Sequence, residues 1–86
     1  MSSIVSATAQ SALSNKNAVI GTVTLVAGGT AATCDITDAV GAGGDTIITL
    51  AAPANETVSV SLSGVTVVNG VFAQAVTGGT VYVELL

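Results

Sequence analysis

The stretch Glu56–Ser63, ETVSVSLS, sets Val58, Val60 and Leu62 on one side of an extended backbone and Thr57, Ser59, Ser61 and Ser63 on the other. Side chains of a strand alternate between faces, so a strict two-residue period marks a strand with one face buried and one wetted. The same rhythm, rich in β-branched residues, runs from Asn17 to Leu86 and predicts strands near 18–27, 30–37, 45–51, 56–63, 65–68, 71–77 and 80–86. Gly28-Gly29, DAVGAGGD, APAN, Asn69-Gly70 and Gly78-Gly79 separate them, and the single proline, Pro53, falls in one of these gaps. No helical period follows residue 16. About seven short strands at this spacing predict an all-β fold, a small antiparallel β-sandwich of jelly-roll or Ig-like type.

The glycine pairs also predict a register. Two-residue hairpin loops favour turns with positive φ, which glycine adopts at little cost. With Gly28-Gly29 as such a loop, Leu25 faces Ala32, Val23 faces Cys34 and Gly21 faces Ile36, all on one apolar side. Thr22, Thr24, Thr33, Asp35 and Thr37 fall together on the other side. With Gly78-Gly79 as a second loop, Val76 faces Val81, Gln74 faces Val83 and Phe72 faces Leu85. Asn69-Gly70 is a third hairpin signal and pairs Val67 with Phe72.

Residues 1–16 break the pattern. SSIVSATAQSALSNKN is rich in Ser and Ala, with Ile4, Val5 and Leu13 as its large apolar groups. Such a segment can be a flexible arm, a short helix or an extra edge strand. We expect an N-terminal arm over 1–16 that orders on a partner, and one β-sandwich domain over 17–86. Removing residues 2–16 is then expected to leave a folded domain with weakened attachment. The start lacks a basic n-region and an unbroken apolar stretch, so it reads as a poor secretory signal and the chain as one made in the cytoplasm. Ser, Thr, Gly and Asn interrupt every apolar run well short of 18 residues, so no membrane span is expected.

Charge is scarce. Lys16 is the one cation, against Asp35, Asp38, Asp45, Glu56 and Glu84, so 7% of residues are charged. An ordinary soluble domain carries roughly 25%. A net charge of −4 with one Lys and no Arg cannot neutralise a row of phosphates, which argues against nucleic acid. An uncharged exterior on a domain of 86 residues, whose core is modest, suits permanent cover by neighbours.

Residues able to do chemistry are few. Histidine is absent, which removes the usual general base and, with a single cysteine, any zinc site within one chain. Cys34 lies on the apolar side of its strand with no cation near it in sequence, and it reads as a small buried hydrophobe rather than a reactive thiol. Asp35, Asp38 and Asp45 flank a glycine-rich loop, but their spacing fits no EF-hand, and solvated loop acids are the simpler reading. Gly41, Gly43 and Gly44 lack the Lys-Ser/Thr of a phosphate loop. Asn55-Glu56-Thr57 forms a glycosylation sequon that has no export signal behind it. Two aromatics, Phe72 and Tyr82, make no stacking platform; Phe72 reads as core and Tyr82, on a mixed face, as an interface anchor. No enzyme activity, cofactor or metal is expected.

The second half, TIITLAAPANETVSVSLSGVTVVNGVFAQAVTGGTVYVELL, resembles a pattern of small structural proteins of tailed bacteriophages. A Thr/Val-rich strand leads through a small-residue loop to an alternating strand. An Asn-Gly turn then enters an aromatic-bearing strand, VVNGVFAQAV, and the chain closes on the cadence GGTVYVEL. The resemblance spans roughly residues 18–86 and lies in rhythm rather than in fixed residues. It implies a virion accessory protein, a capsid decoration or cement protein made in the host cytoplasm and located in the phage head. Its implied partners are the major capsid protein and further copies of itself, a homotrimer being favoured. Ile4, Val5, Leu13 and Tyr82 are the expected partner contacts. The loop DITDAVGAGGDT is sparser than such proteins often carry, which speaks against receptor binding at that tip. Other readings are a self-assembling tail, fibre or surface subunit, and a receptor- or carbohydrate-binding module.

Overall fold

The computed structural model describes residues 3–41 and 43–86; Met1, Ser2 and Ala42 lie outside the described residues, as do the side chains of Ser3 and Ser63. Eight strands form among them: β1 Ser3–Ala7, β2 Ser11–Ser14, β3 Ala18–Ala27, β4 Ala32–Asp38, β5 Asp45–Ala52, β6 Thr57–Val67, β7 Val71–Thr77 and β8 Gly79–Leu85. They make two four-stranded antiparallel sheets, A in the order β1-β8-β3-β6 and B in the order β2-β7-β4-β5.

The pairs β1·β8, β2·β7, β3·β6 and β4·β5 are those of one long hairpin whose tip is the β4–β5 loop. Rolled up, the hairpin gains two more ladders, β3·β8 and β4·β7. This connectivity is a jelly roll, the first of the two sandwich types expected.

The consequence for the glycine pairs is a correction. Of the seven connections only β4–β5 joins neighbours within a sheet; every other one crosses from one sheet to the other. Gly28-Gly29 links β3 of sheet A to β4 of sheet B, so Val23 pairs with Val60 and Val83 rather than with Cys34. Gly78 leads from β7 to β8 and Asn69-Gly70 from β6 to β7, again between sheets. Val67 pairs with Ala18, not Phe72. Glycine serves here because the bends pass close to one another: Gly78 has φ +76°, and a Cβ on it would strike the Ala31 carbonyl oxygen.

Which residues face inward follows the period of two all the same. Val23, Leu25 and Ala27 of β3 meet Ala32, Cys34 and Ile36 of β4 in one buried cluster, now across the sandwich instead of along a ribbon. Ile20, Leu50, Ala52, Val67, Val71, Ala73, Val76, Val81 and Val83 complete it.

Bulges account for the remaining differences. Ala75 adopts φ +57°, and the β4·β7 register slips between the pairs Thr33↔Thr77 and Asp35↔Gln74. An extra residue flips the side chains that follow it. Val71, Ala73 and Val76 therefore reach the core, while Phe72 and Gln74 turn to the outer face of sheet B, off the face on which they were expected. Phe72 is buried there beside Thr37, whose hydroxyl donates to the Phe72 carbonyl (3.3 Å), and Gln74 Oε1 accepts the Gly43 N–H of the β4–β5 loop (3.2 Å). In β6 a bulge at Gly64, φ +90°, merges the two strands expected at 56–63 and 65–68 into one.

Residues 3–14, expected within an arm, instead supply one edge strand to each sheet. Val5 pairs with Val83, and Val5, Ala7 and Leu13 pack against the core. Their spacing hid this, because five-residue and four-residue strands show too few periods to stand out from Ser- and Ala-rich coil.

Candidate interaction face

Sheet A places β8 between β1 and β3, so an outward residue of β8 has neighbours on both sides. Tyr82 is that residue, opposite Ser6 of β1 and Thr24 of β3. Thr24 continues the row to Ser59 of β6 through a hydroxyl–hydroxyl hydrogen bond of 2.7 Å. Ile4 lies opposite Glu84 and Thr22 opposite Ser61 on one side of this row, and Val26 stands between Thr80 and Thr57 on the other.

The face is thus a lawn of hydroxyls with three apolar groups standing in it. Ile4 is 69% exposed, Tyr82 41% and Val26 36%. Ile4, Thr22, Thr24, Tyr82 and Glu84 line a shallow depression of ≈ 230 Å³. Glu84 is the one charged side chain of the row set, and its carboxylate lies against the backbone of β3, where a Cβ on Gly21 would meet Oε1 at 2.7 Å. Such a surface suits contact with another ordered surface. Tyrosine supplies area with a polar tip, and few charges need stripping of water.

Of the four expected contact residues, the structure brings Ile4 and Tyr82 together here and turns Val5 and Leu13 toward the core. Thr22, Thr24 and Val26 were not singled out from the sequence. Their signal was present in the outward positions of β3. Assigning β3 and β4 to one ribbon, however, merged them with Thr33, Asp35 and Thr37, which belong to the opposite sheet of the sandwich.

The end of the sandwich at the β4–β5 loop holds a second concavity, ≈ 640 Å³, between Asp38, Asp45 and Asn69. Asp38 and Asp45 are register partners at the loop's base. The Asp38 carboxylate accepts the N–H of Asn69 (2.8 Å) and of Val68 (3.2 Å), and these bonds hold its pKa below the ordinary aspartate value. Asp38 therefore caps the β6–β7 bend. Asp35 stands apart in register with Gln74 on the outer face of sheet B. Among the described residues no three of His, Cys, Asp and Glu gather closely enough to hold a metal ion. Cys34 is fully buried, and burial, with the Asp35 charge second, pushes its thiol up to about 11.

No protein-family model matches the chain, and searches of curated proteins and of solved structures found no match either.

Proposed function

We propose that this chain is a structural virion protein that decorates the head of a tailed bacteriophage. The outer face of sheet A seats on major capsid subunits, and copies of the chain associate with one another, adding buried area that opposes expansion of the shell. One observation carries the reading: a hydroxyl-rich sheet face with Tyr82 and Ile4 exposed in it, on a jelly roll with 7% charged residues. Jelly rolls recur in viral capsid and lectin domains, and the fold alone does not choose between them. The flat site does. A sugar-binding module needs a polar pocket with an aromatic platform, whereas Tyr82 projects from the middle of an open sheet.

Binding of purified protein to capsids lacking it tests the proposal. Saturable binding with a copy number near that of the major capsid protein supports it. Tyr82→Ala should weaken attachment by roughly 30-fold, the size of an interface hot spot. Val68→Ala, exposed at the far β6–β7 bend, should leave it unchanged. A few copies per particle would point to a tail or vertex subunit instead, and absence of binding to any particle overturns the reading.

A further inference from the structure

Sheet A ends on two unlike edges. β1 has five residues, and short edge strands are one of the ways in which sheets avoid pairing with other chains. β6 has eleven, TVSVSLSGVTV, with no charged residue and no proline. Its one neighbour in the sheet is β3, and among the described residues the N–H and C=O groups on its other side meet no further strand along the flank of the sandwich. β5 borders that same flank and is uncharged after Asp45. Val58, Val60 and Leu62 point toward the core from β6 but remain half-buried, while Val23 and Leu25 of the adjacent β3 are fully buried.

We propose that β6 is a self-association edge. A second copy of this chain pairs its β6 with it, antiparallel about a two-fold axis, and makes sheet A continuous through both copies.

The pattern of β6 is what selects a second copy as the occupant. Opposite residues of an antiparallel pair point to the same face. A two-fold axis at Val60 sets it against the partner's Val60, Val58 against the partner's Leu62 and Ser59 against the partner's Ser61. Val58, Val60 and Leu62 then fall on the buried layer and the Ser59 and Ser61 hydroxyls on the outer face. Glu56 falls opposite the partner's Gly64, so no like charges meet. The paired edge is also long. At about 3.4 Å per residue the eleven-residue β6 runs for roughly 35 Å. A contact made along one strand edge is small for an interface, so the dimer is a concentration-dependent one.

This deepens the self-association part of the reading above, and sedimentation in the absence of capsids tests it apart from attachment. Sedimentation of the full chain should show a reversible dimer. One variant carries Ser59→Lys with Ser61→Lys and a second carries Ser59→Glu with Ser61→Glu, all on the solvent face of the edge. Each should keep the β circular dichroism spectrum and cooperative unfolding, yet weaken its own dimer by at least roughly tenfold, since like charges then stand opposite one another. Mixing the two should restore dimers. A wild-type monomer at every concentration, a trimer or dimer indifferent to these substitutions, or a mixture that stays monomeric overturns the proposal. Capsid binding by Tyr82→Ala is read separately. Loss of attachment by Tyr82→Ala with its dimer intact bears on the decoration face alone; the charge variants, which share the outer face of sheet A with Thr22 and Thr24, are read for dimerisation alone.

Discussion

The backbone N–H of Gly28 donates to the carbonyl oxygen of Gly78 across 2.9 Å, joining the two bends that the sequence spells with the same paired glycines. One bend carries β3 over to β4 and the other carries β7 over to β8. A third bend lies against the first, where Asn55 N–H donates to the Gly28 carbonyl oxygen (2.7 Å) and Ala27 N–H to that of Glu56 (2.9 Å). The long hairpin therefore stays double-stranded as it folds from sheet to sheet. Buried or crowded backbone must find partners somewhere, and here the bends satisfy one another.

Gly78 and Gly79 are predicted to be intolerant of any side chain, and Gly29 tolerant. A Cβ on Gly79 would strike the Val26 carbonyl oxygen, whereas one on Gly29 meets nothing within 4 Å. Holding a non-glycine residue at the φ of +76° found at Gly78 costs about 1–3 kcal/mol before any collision is counted. Gly78→Ala and Gly79→Ala should each lower the thermal midpoint by about 8 °C or more, and Gly29→Ala should change it little. Equal effects at all three positions in a thermal melt would contradict the crossing geometry.

The inward faces were legible because burial imposes the period of two whichever strand lies opposite. Val23, Leu25, Ala32, Cys34 and Ile36 were assigned to one apolar side and occupy one core. What lay outside reach was the partner of each face. Gly-Gly is compatible with a two-residue hairpin and with an arch between sheets, and the choice is made by packing between residues far apart in sequence, such as Val23 with Val60 and Val83. The same ambiguity hid the candidate face. Thr22 and Thr24 looked like companions of Thr33 and Asp35, yet the outer surface of sheet A forms only when β8 inserts between β1 and β3. Tyr82 stood out by residue type, and Ile4 by being large in a stretch of small residues.

Acid should loosen the β6–β7 bend first. Asp38 is bonded by backbone N–H groups that hold its pKa below the ordinary aspartate value, so its charged form is favoured in the folded chain. The stability it contributes is present above the unfolded-state pKa and is lost as pH falls through the lower, folded value. Unfolding midpoints of wild type and Asp38→Ala should differ most near neutrality and converge at strongly acid pH. A constant gap across the titration would remove the charge from the explanation.

Cys34 behaves oppositely at the alkaline end. Its thiol is raised from 9.0 to about 11 by burial and by the neighbouring Asp35, so the folded chain prefers the neutral form. The resulting stability is fully present below the unfolded-state pKa and is lost as pH rises from about 9 through 11. In the native protein near pH 8 a disulfide exchange reagent should react at the rate of unfolding and no faster, because the thiolate is scarce and the sulfur buried. Cys34→Ser should remove the alkaline sensitivity that wild type shows between those values, while placing a less apolar group in the core. Rapid labelling of the folded protein would mean that the thiol reaches solvent without opening of the sandwich.

Truncation gives the sharpest test of the fold, and the expected outcome reverses the one that an arm would give. Residues 3–14 carry β1 and β2, the edge strands beside β8 and β7. Deleting residues 2–16 strips Val5, Ala7 and Leu13 from the core and turns β8 and β7 into new, unprotected edges. Burial of a few aliphatic side chains is worth several kcal/mol, and a small domain has only about 5–15 kcal/mol in hand. The shortened chain should therefore melt far below wild type or associate through its exposed edges. A synthetic peptide of residues 2–16 added in trans should bind by strand pairing and restore the cooperative transition, with Val5→Asp in the peptide abolishing the rescue. If the shortened chain keeps the wild-type midpoint and ignores the peptide, β1 and β2 are ornaments on a six-stranded body rather than parts of the jelly roll.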